Sequence, residues 1–270
     1  MRYTWVFIGL LLLSGCSSAR KSNRDKHLKT SEIVSSDTEG AELDFLRRKF
    51  QNDIQFFAVG NEPFWALDIN TNLFIRFNIM DSLSMNLPAV KPVLSDNGQS
   101  LIYYTRVNKQ QLIIEMDPEE CIDNMSGKVF THKISIEAID DTNKNVHVTG
   151  CGMYVPDFRL NDKWMLAAIN GREVDIWVFG NNPPYVAFNF EEDQIYGSGG
   201  CNGFGGTFRH KGQQEIAIGP LQSTLKACDN MDVETKLYGI LQNGTFSFDI
   251  SNTTLKLYNG ADVLVFRRAD

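Results

Sequence analysis

Leu73-Phe74-Ile75-Arg76-Phe77-Asn78-Ile79 decides the fold class of this chain. Ile75, Phe77 and Ile79 fall on one side of an extended backbone, and Arg76 and Asn78 fall on the other. That alternation is the period of a half-buried β-strand, because successive strand side chains point to opposite faces. Working upstream, Asn70-Thr71-Asn72 reads as a turn, and Phe64 to Ile69 and Phe56 to Val59 read as two further strands. Downstream, Ser100 to Val107 and Gln111 to Met116 predict a hairpin around Asn108-Lys109-Gln110. Lys128 to Ile139 and Asn145 to Gly150 predict another, turning at Asp140 to Lys144. Ala41 to Asn52 differs: Leu43, Leu46 and Phe50 recur at helical spacing, which predicts a short amphipathic helix docked on these strands. Residues 41–155 therefore read as an all-β domain, a curled sheet or small barrel that hides its strand edges.

Tyr154-Val155-Pro156-Asp157 marks a boundary, and a second domain follows over residues 160–268. Its expected strands are Trp164 to Ile169, Val174 to Phe179, Tyr185 to Phe190, Gln194 to Ser198 and Glu215 to Ile218. Three more close it: Thr245 to Ile250, Thr254 to Tyr258 and Val263 to Arg267. Asn230 to Asn243 breaks the pattern, since Val233, Leu237, Ile240 and Leu241 share one face at 3.6-residue spacing. Asp229 or Asn230 would cap that helix, and Asn243-Gly244 would end it. The expected fold is mainly β, with an α+β second domain whose antiparallel sheet packs on one helix.

Arg2, the apolar run Trp5 to Leu13 and the small residues Ser14-Gly15 make a secretory signal over residues 1–15, too short to span a bilayer. Leu13-Ser14-Gly15-Cys16 resembles the lipobox of bacterial lipoproteins. The resemblance implies cleavage before Cys16 and acyl chains on that residue, and Ser17 after it implies sorting to the outer membrane, facing the periplasm. Residues 16–40 are polar and charged, as expected of a disordered tether. The net charge is −7, and the one basic block lies between Arg20 and Lys29. Nucleic acid is thus excluded as a partner, because phosphate contacts need a clustered basic face.

Of five cysteines, Cys16 is assigned to lipid. Cys121, Cys151, Cys201 and Cys228 remain, and four cysteines in an oxidising compartment allow three pairings. Cys121–Cys151 with Cys201–Cys228 keeps each bridge within one expected domain. Each then closes a loop of about 30 residues, which chain entropy values at ~3–4 kcal/mol. Zinc is not expected, since there is no C-x-x-C pair.

The second domain resembles the META domain of the HslJ heat-shock lipoprotein family. The resemblance is carried by Trp164-Met165-Leu166, Ile169-Asn170-Gly171, Gly199-Gly200-Cys201-Asn202-Gly203-Phe204-Gly205-Gly206, Ile218-Gly219-Pro220-Leu221, Ser223 to Cys228, Glu234, Leu241 and Leu255-Lys256-Leu257. It implies the Cys201–Cys228 pair and an envelope location, links to stress and antibiotic tolerance, and no settled activity. Residues 55–152 are similar to an envelope domain often found beside META domains. Here the carriers are Gly60-Asn61-Glu62-Pro63-Phe64-Trp65, Cys121 to Gly127 and Gly150-Cys151-Gly152, which support Cys121–Cys151.

The glycines, histidines and serines of the chain form no familiar catalytic motif. Gly197 to Gly206 is rich in glycine, but no Gly-Lys-Ser/Thr follows and no G-x-G-x-x-G aligns, so close backbone packing is the expected role. His132 and His147 share an expected hairpin whose register sets His147 opposite about Ala138, ~20 Å along the strand from His132, so they cannot hold one metal. No serine sits in a G-x-S-x-G elbow. No cofactor is expected. The best site candidate is Asn61-Glu62-Pro63-Phe64-Trp65, with Glu62 as an acid beside two aromatics, and Asp123 is a second carboxylate that could face it; Asn202 with Phe204 is another candidate surface. The expected function is non-catalytic binding of an envelope protein or glycan by a lipid-anchored protein. The alternatives are an inhibitor or chaperone-like partner of a periplasmic enzyme, and a cell-wall glycan-acting enzyme using Glu62 and Asp123, which an exposed cleft holding both would favour.

Overall fold

The structure, a computed structural model, describes residues 40–229 and 231–269. The expected signal segment, Cys16 and the tether up to residue 39 lie outside the described residues. The first element is helix α1, over residues 40–51. Strands β1 (Phe56–Asn61), β2 (Phe64–Asn70), β3 (Phe74–Ile79) and β4 (Leu83–Pro88) then form an antiparallel meander. After them come β5 (Val93–Leu94), β6 (Leu101–Val107), β7 (Gln110–Asp117), the small hairpin β8 (Cys121–Ile122) and β9 (Val129–Phe130), β10 (His132–Ile139) and β11 (Asn145–Tyr154).

Apart from β8 and β9, these strands make one sheet ordered β4-β3-β2-β1-β11-β10-β7-β6-β5. The sheet curls into a half-barrel around Leu67, Ile69, Ile75, Phe77, Leu112, Ile114, Ile134 and Ile136, all at 0% exposure. Its ends approach where Thr105 Oγ1 donates to the Pro88 carbonyl at 3.3 Å. The outer face carries α1, with Leu46 and Phe45 against Phe57 and Phe130. Leu43 of the same helix packs on the second core, and Phe50 meets Phe158 at 5.7 Å. The helix expected on the first set of strands thus touches both cores.

The second sheet is built from β12 (Lys163–Ile169), β13 (Arg172–Glu173), β14 (Tyr185–Asn189), β15 (Gln194–Ser198), β16 (Gly203–Gly212), β17 (Glu215–Ile218), β18 (Gln222–Ser223), β19 (Thr245–Ser251), β20 (Thr254–Asn259) and β21 (Asp262–Arg268). Helix α2 (Asp232–Leu241) lies between β18 and β19. Strands β12, β14, β15, β16, β17, β19, β20 and β21 pair in sequence, and β12 pairs with β21, so they close an antiparallel barrel. The strands are antiparallel as expected, but they close on themselves instead of forming a sheet packed on one helix. A closed barrel leaves no edge strand to pair with another chain. Its interior holds Trp164, Val186, Ile195, Ile216, Phe246, Leu255, Leu257, Leu264 and Phe266 at 0% exposure. Leu237 and Leu241 of α2 join that core rather than backing a sheet.

Two local expectations also change. Val174 to Phe179 is not a strand: Asp175 accepts the Trp177 amide at 3.1 Å and caps a 3₁₀ turn over Ile176–Phe179. Helix α2 begins after Met231, which makes no side-chain cap bond, and the expected cap Asn230 lies outside the described residues. Asn243, at φ 56°, ends the helix as expected, in the left-handed region that asparagine tolerates. Both cysteine pairs form in the expected connectivity, Cys121–Cys151 and Cys201–Cys228.

Candidate functional site

The first candidate grows from the β1–β2 turn. Asn61 and Phe64 face each other across Glu62-Pro63, which places Glu62 at the tip of a two-residue loop. Side-chain alternation then sends Trp65 inward and Phe64 outward. Trp65 is 4% exposed and donates from Nε1 to the Thr149 carbonyl at 3.2 Å, so it belongs to the core and not to a binding surface. A Cβ on Gly60 would stand 2.1 Å from that ring, and one on Gly150 2.6 Å, so both strands need glycine beside the indole.

Opposite the turn stands the β8–β9 hairpin, tied to β11 by Cys121–Cys151. Asp123 organises its loop. Asp123 Oδ2 accepts the Ser126 amide at 2.9 Å and the Ser126 hydroxyl, while Oδ1 accepts Asn61 Nδ2. The Asp123 amide donates to the Lys128 carbonyl at 2.9 Å, and Gly127, at φ 71°, lets the chain reverse. The Ser126 hydroxyl and amide, with Asn61, hold the Asp123 carboxyl below the usual carboxylate range. Asp123 is a loop anchor kept as an anion.

Between turn and hairpin lies a cleft of about 620 Å³. Glu62 and Asp123 both line it, so the structure brings the two carboxylates to one place. Lys133, Asn124 and Thr149 add polar groups to its wall. Its mouth is apolar: Phe64 is 46% exposed, Ile122 57% and Met125 71%. Sequence reasoning named Asn61 within the candidate turn but missed Ser126, Met125 and Lys133. The Asp123-x-x-Ser126 spacing carried a usable signal, because a short acid commonly accepts from the amide three residues on.

The second candidate, Asn202 with Phe204, is buried, at 2% and 6% exposure. It is a hydrogen-bond hub, not a surface. Asn202 Oδ1 accepts Thr224 Oγ1 at 2.8 Å and the Lys226 amide at 2.7 Å. Asn202 Nδ2 donates to the Lys226 carbonyl at 3.0 Å and to Glu234 Oε1 at 2.7 Å. Glu234 Oε2 accepts the amides of Cys201 at 3.1 Å and Asn202 at 2.7 Å. Tyr238 donates its hydroxyl to the Asn202 carbonyl at 2.6 Å, and burial with the nearby Glu234 charge pushes its pKa up to about 12. Gly199 is required here, since a Cβ would sit 2.4 Å from Glu234 Cγ. Close packing of the glycine-rich segment, as expected, is what the hub demands.

His147 lies opposite Glu137, one residue from the expected register, and therefore faces away from His132, which is 7% exposed. Among the described residues, no group of three or more His, Cys, Asp and Glu could hold a metal.

No curated protein matches the chain. Among solved structures, an NMR structure of an E. coli protein is 24% identical, covers 41% of this chain and 92% of its own, and superposes with a TM-score of 0.35. The META domain family model matches residues 157–270, the segment that folds into the closed barrel and carries the Asn202–Glu234 hub at its β15–β16 turn.

Proposed function

We propose that the chain is a non-catalytic envelope lipoprotein that binds another envelope component through the cleft between the Glu62 turn and the β8–β9 hairpin. Lipid attachment at Cys16, placement at the outer membrane facing the periplasm, a role in stress or antibiotic tolerance and an envelope-domain kinship of residues 55–152 belong to the same reading. One observation carries it: exposed Phe64, Ile122 and Met125 ring a cleft whose walls are fixed by a disulfide and by the Asp123 bonds. Clustered exposed apolar groups on a rigid frame are a common mark of interaction sites.

The shared cleft also favours a second reading, a glycan-acting enzyme with Glu62 and Asp123 as its carboxylate pair. That reading is weaker, because Asp123 is held below the usual range by bonds to its own loop, whereas a general acid needs its pKa raised.

The test immobilises the oxidised chain, exposes it to detergent-solubilised envelope and identifies bound proteins and glycans by mass spectrometry. Saturable capture should weaken at least about tenfold in a Phe64→Ala/Met125→Ala variant and hold in Leu225→Ala, a control at an exposed residue outside the cleft. Equal capture by both variants removes the site. Turnover of a glycan that is lost with Glu62→Gln replaces binding by catalysis.

A further inference from the structure

A different pocket, of about 470 Å³, opens where the second half of α1 meets β2 and β3. We propose that it binds a phosphate group, with Arg48 and Arg76 as its two guanidinium ligands. This inference is independent of the cleft reading.

On a chain of net charge −7, the wall of this pocket gathers three cations, Arg48, Lys49 and Arg76, with one carboxylate, Asp68. Lys49 Nζ lies 2.5 Å from Asp68 Oδ1 and neutralises it. Among the described residues, neither Arg48 nor Arg76 forms an ion pair; the four ion pairs there use other cations. Two positive charges are thus left at the pocket.

Their setting suits an anion. Arg76 Cζ sits 4.7 Å from the centroid of the Phe74 ring, which fixes the guanidinium by its face and leaves its in-plane N–H donors for a ligand. Arg48 comes from the facing helix, and the carbonyls of Arg48, Lys49 and Phe50 already accept the amides of Asn52, Ile54 and Asp53. The negative end of the helix is therefore largely satisfied. A planar fork with parallel donors matches phosphate oxygens in a bidentate fashion. Two guanidiniums match the double charge of a phosphate monoester better than the single charge of a carboxylate. The pocket is larger than a phosphate ion, and the Phe45 and Phe74 rings in its wall offer apolar surface to an organic body. That body belongs either to a soluble phosphate monoester or to a lipid phosphomonoester headgroup, which share this chemistry.

The experiment records amide NMR shifts of the full chain in zwitterionic micelles while inorganic phosphate replaces chloride at constant ionic strength. Saturable shifts confined to residues 45–52 and 68–76 are expected. Arg48→Gln and Arg76→Gln should each weaken the response about tenfold. Arg47→Gln should not, because Arg47 lies over Phe158. Micelles doped with phosphatidic acid, whose headgroup is a phosphate monoester, separate the sources: shifts in the same residues assign a headgroup, and none beyond those in neutral micelles assigns a soluble ester. Shifts that never saturate, or that survive both glutamine variants unchanged, overturn the proposal and leave only screened surface charge.

Discussion

Glu234→Ala is expected to lower the unfolding free energy by about 3–5 kcal/mol, read as a shift in denaturant midpoint at unchanged slope. Glu234 is 3% exposed, and its carboxylate accepts three donors: the amides of Cys201 and Asn202 and the Asn202 side chain. Truncation leaves two backbone N–H groups without a partner in a turn whose geometry is pinned by Cys201–Cys228. Each orphaned buried donor costs roughly 1–3 kcal/mol, and the vacated volume beside Gly199 adds a cavity cost. Glu234→Gln separates the causes. Its amide oxygen can still accept the two backbone amides, but its NH₂ then faces Asn202 Nδ2, donor against donor. A loss of about 1–2 kcal/mol is expected for glutamine, clearly smaller than that for alanine. Equal stability of alanine and parent would show that the turn is held by the disulfide alone.

The second large effect is on pH. His210 lies on β16 with ring contacts to Phe190 at 4.9 Å and Phe208 at 5.6 Å. The residue is partly exposed, but both ring nitrogens are buried and without a hydrogen-bond partner among the described residues. Burial pushes its pKa down to about 4, against an opposing pull from Asp157, which is itself paired with Arg159. In the unfolded chain the imidazole takes a proton as pH falls through about 6.5. In the fold it stays neutral until about 4. The unfolded state therefore holds one more proton across that window, so stability falls as pH falls, by roughly 3 kcal/mol in total. Chemical denaturation at pH 7, 6, 5 and 4 should show the decline, and His210→Phe should flatten it. A residual slope of the same sign remains from His132, whose pKa burial also lowers. Asp123 and Asp140, both held below the carboxylate range, act only at lower pH. An unchanged slope in His210→Phe would place the proton uptake elsewhere.

Most strands were legible because their side chains alternate. Leu67, Ile69, Ile75 and Phe77 announce one buried face, and so do Phe246, Phe248 and Ile250. β4 went unread, since Leu83-Ser84-Met85-Asn86-Leu87-Pro88 ends in proline and lacks β-branched residues. β16 went unread for a related reason: Gly203, Gly205, Gly206 and Gly212 remove the side chains that mark a strand. That omission hid the barrel, because β16 joins β15 to β17 and without it the ring does not close. Val174 to Phe179 was misread in the opposite sense: its apolar composition favours a strand, but one local Asp175 bond bends it and leaves Trp177 86% exposed. At the candidate site, the Glu62 turn and Asp123 were legible as neighbours, while the fate of each side chain was not. Whether Trp65 points in or out, and whether Asp123 is open or bonded to Ser126, depends on a strand register and a loop path that no local pattern encodes.

The seam between β12 and β21 joins the two ends of the META segment. Trp164 faces Arg268, Leu166 faces Phe266, and the Ala269 amide reaches the Lys163 carbonyl at 2.9 Å. A ring whose first and last strands are neighbours has no privileged beginning. A short linker across that seam, with a new opening at the Asn252 turn between β19 and β20, would thread the same eight strands in rotated order. The position at which the rest of the protein is attached is then a choice of wiring, separable from the architecture of the barrel itself.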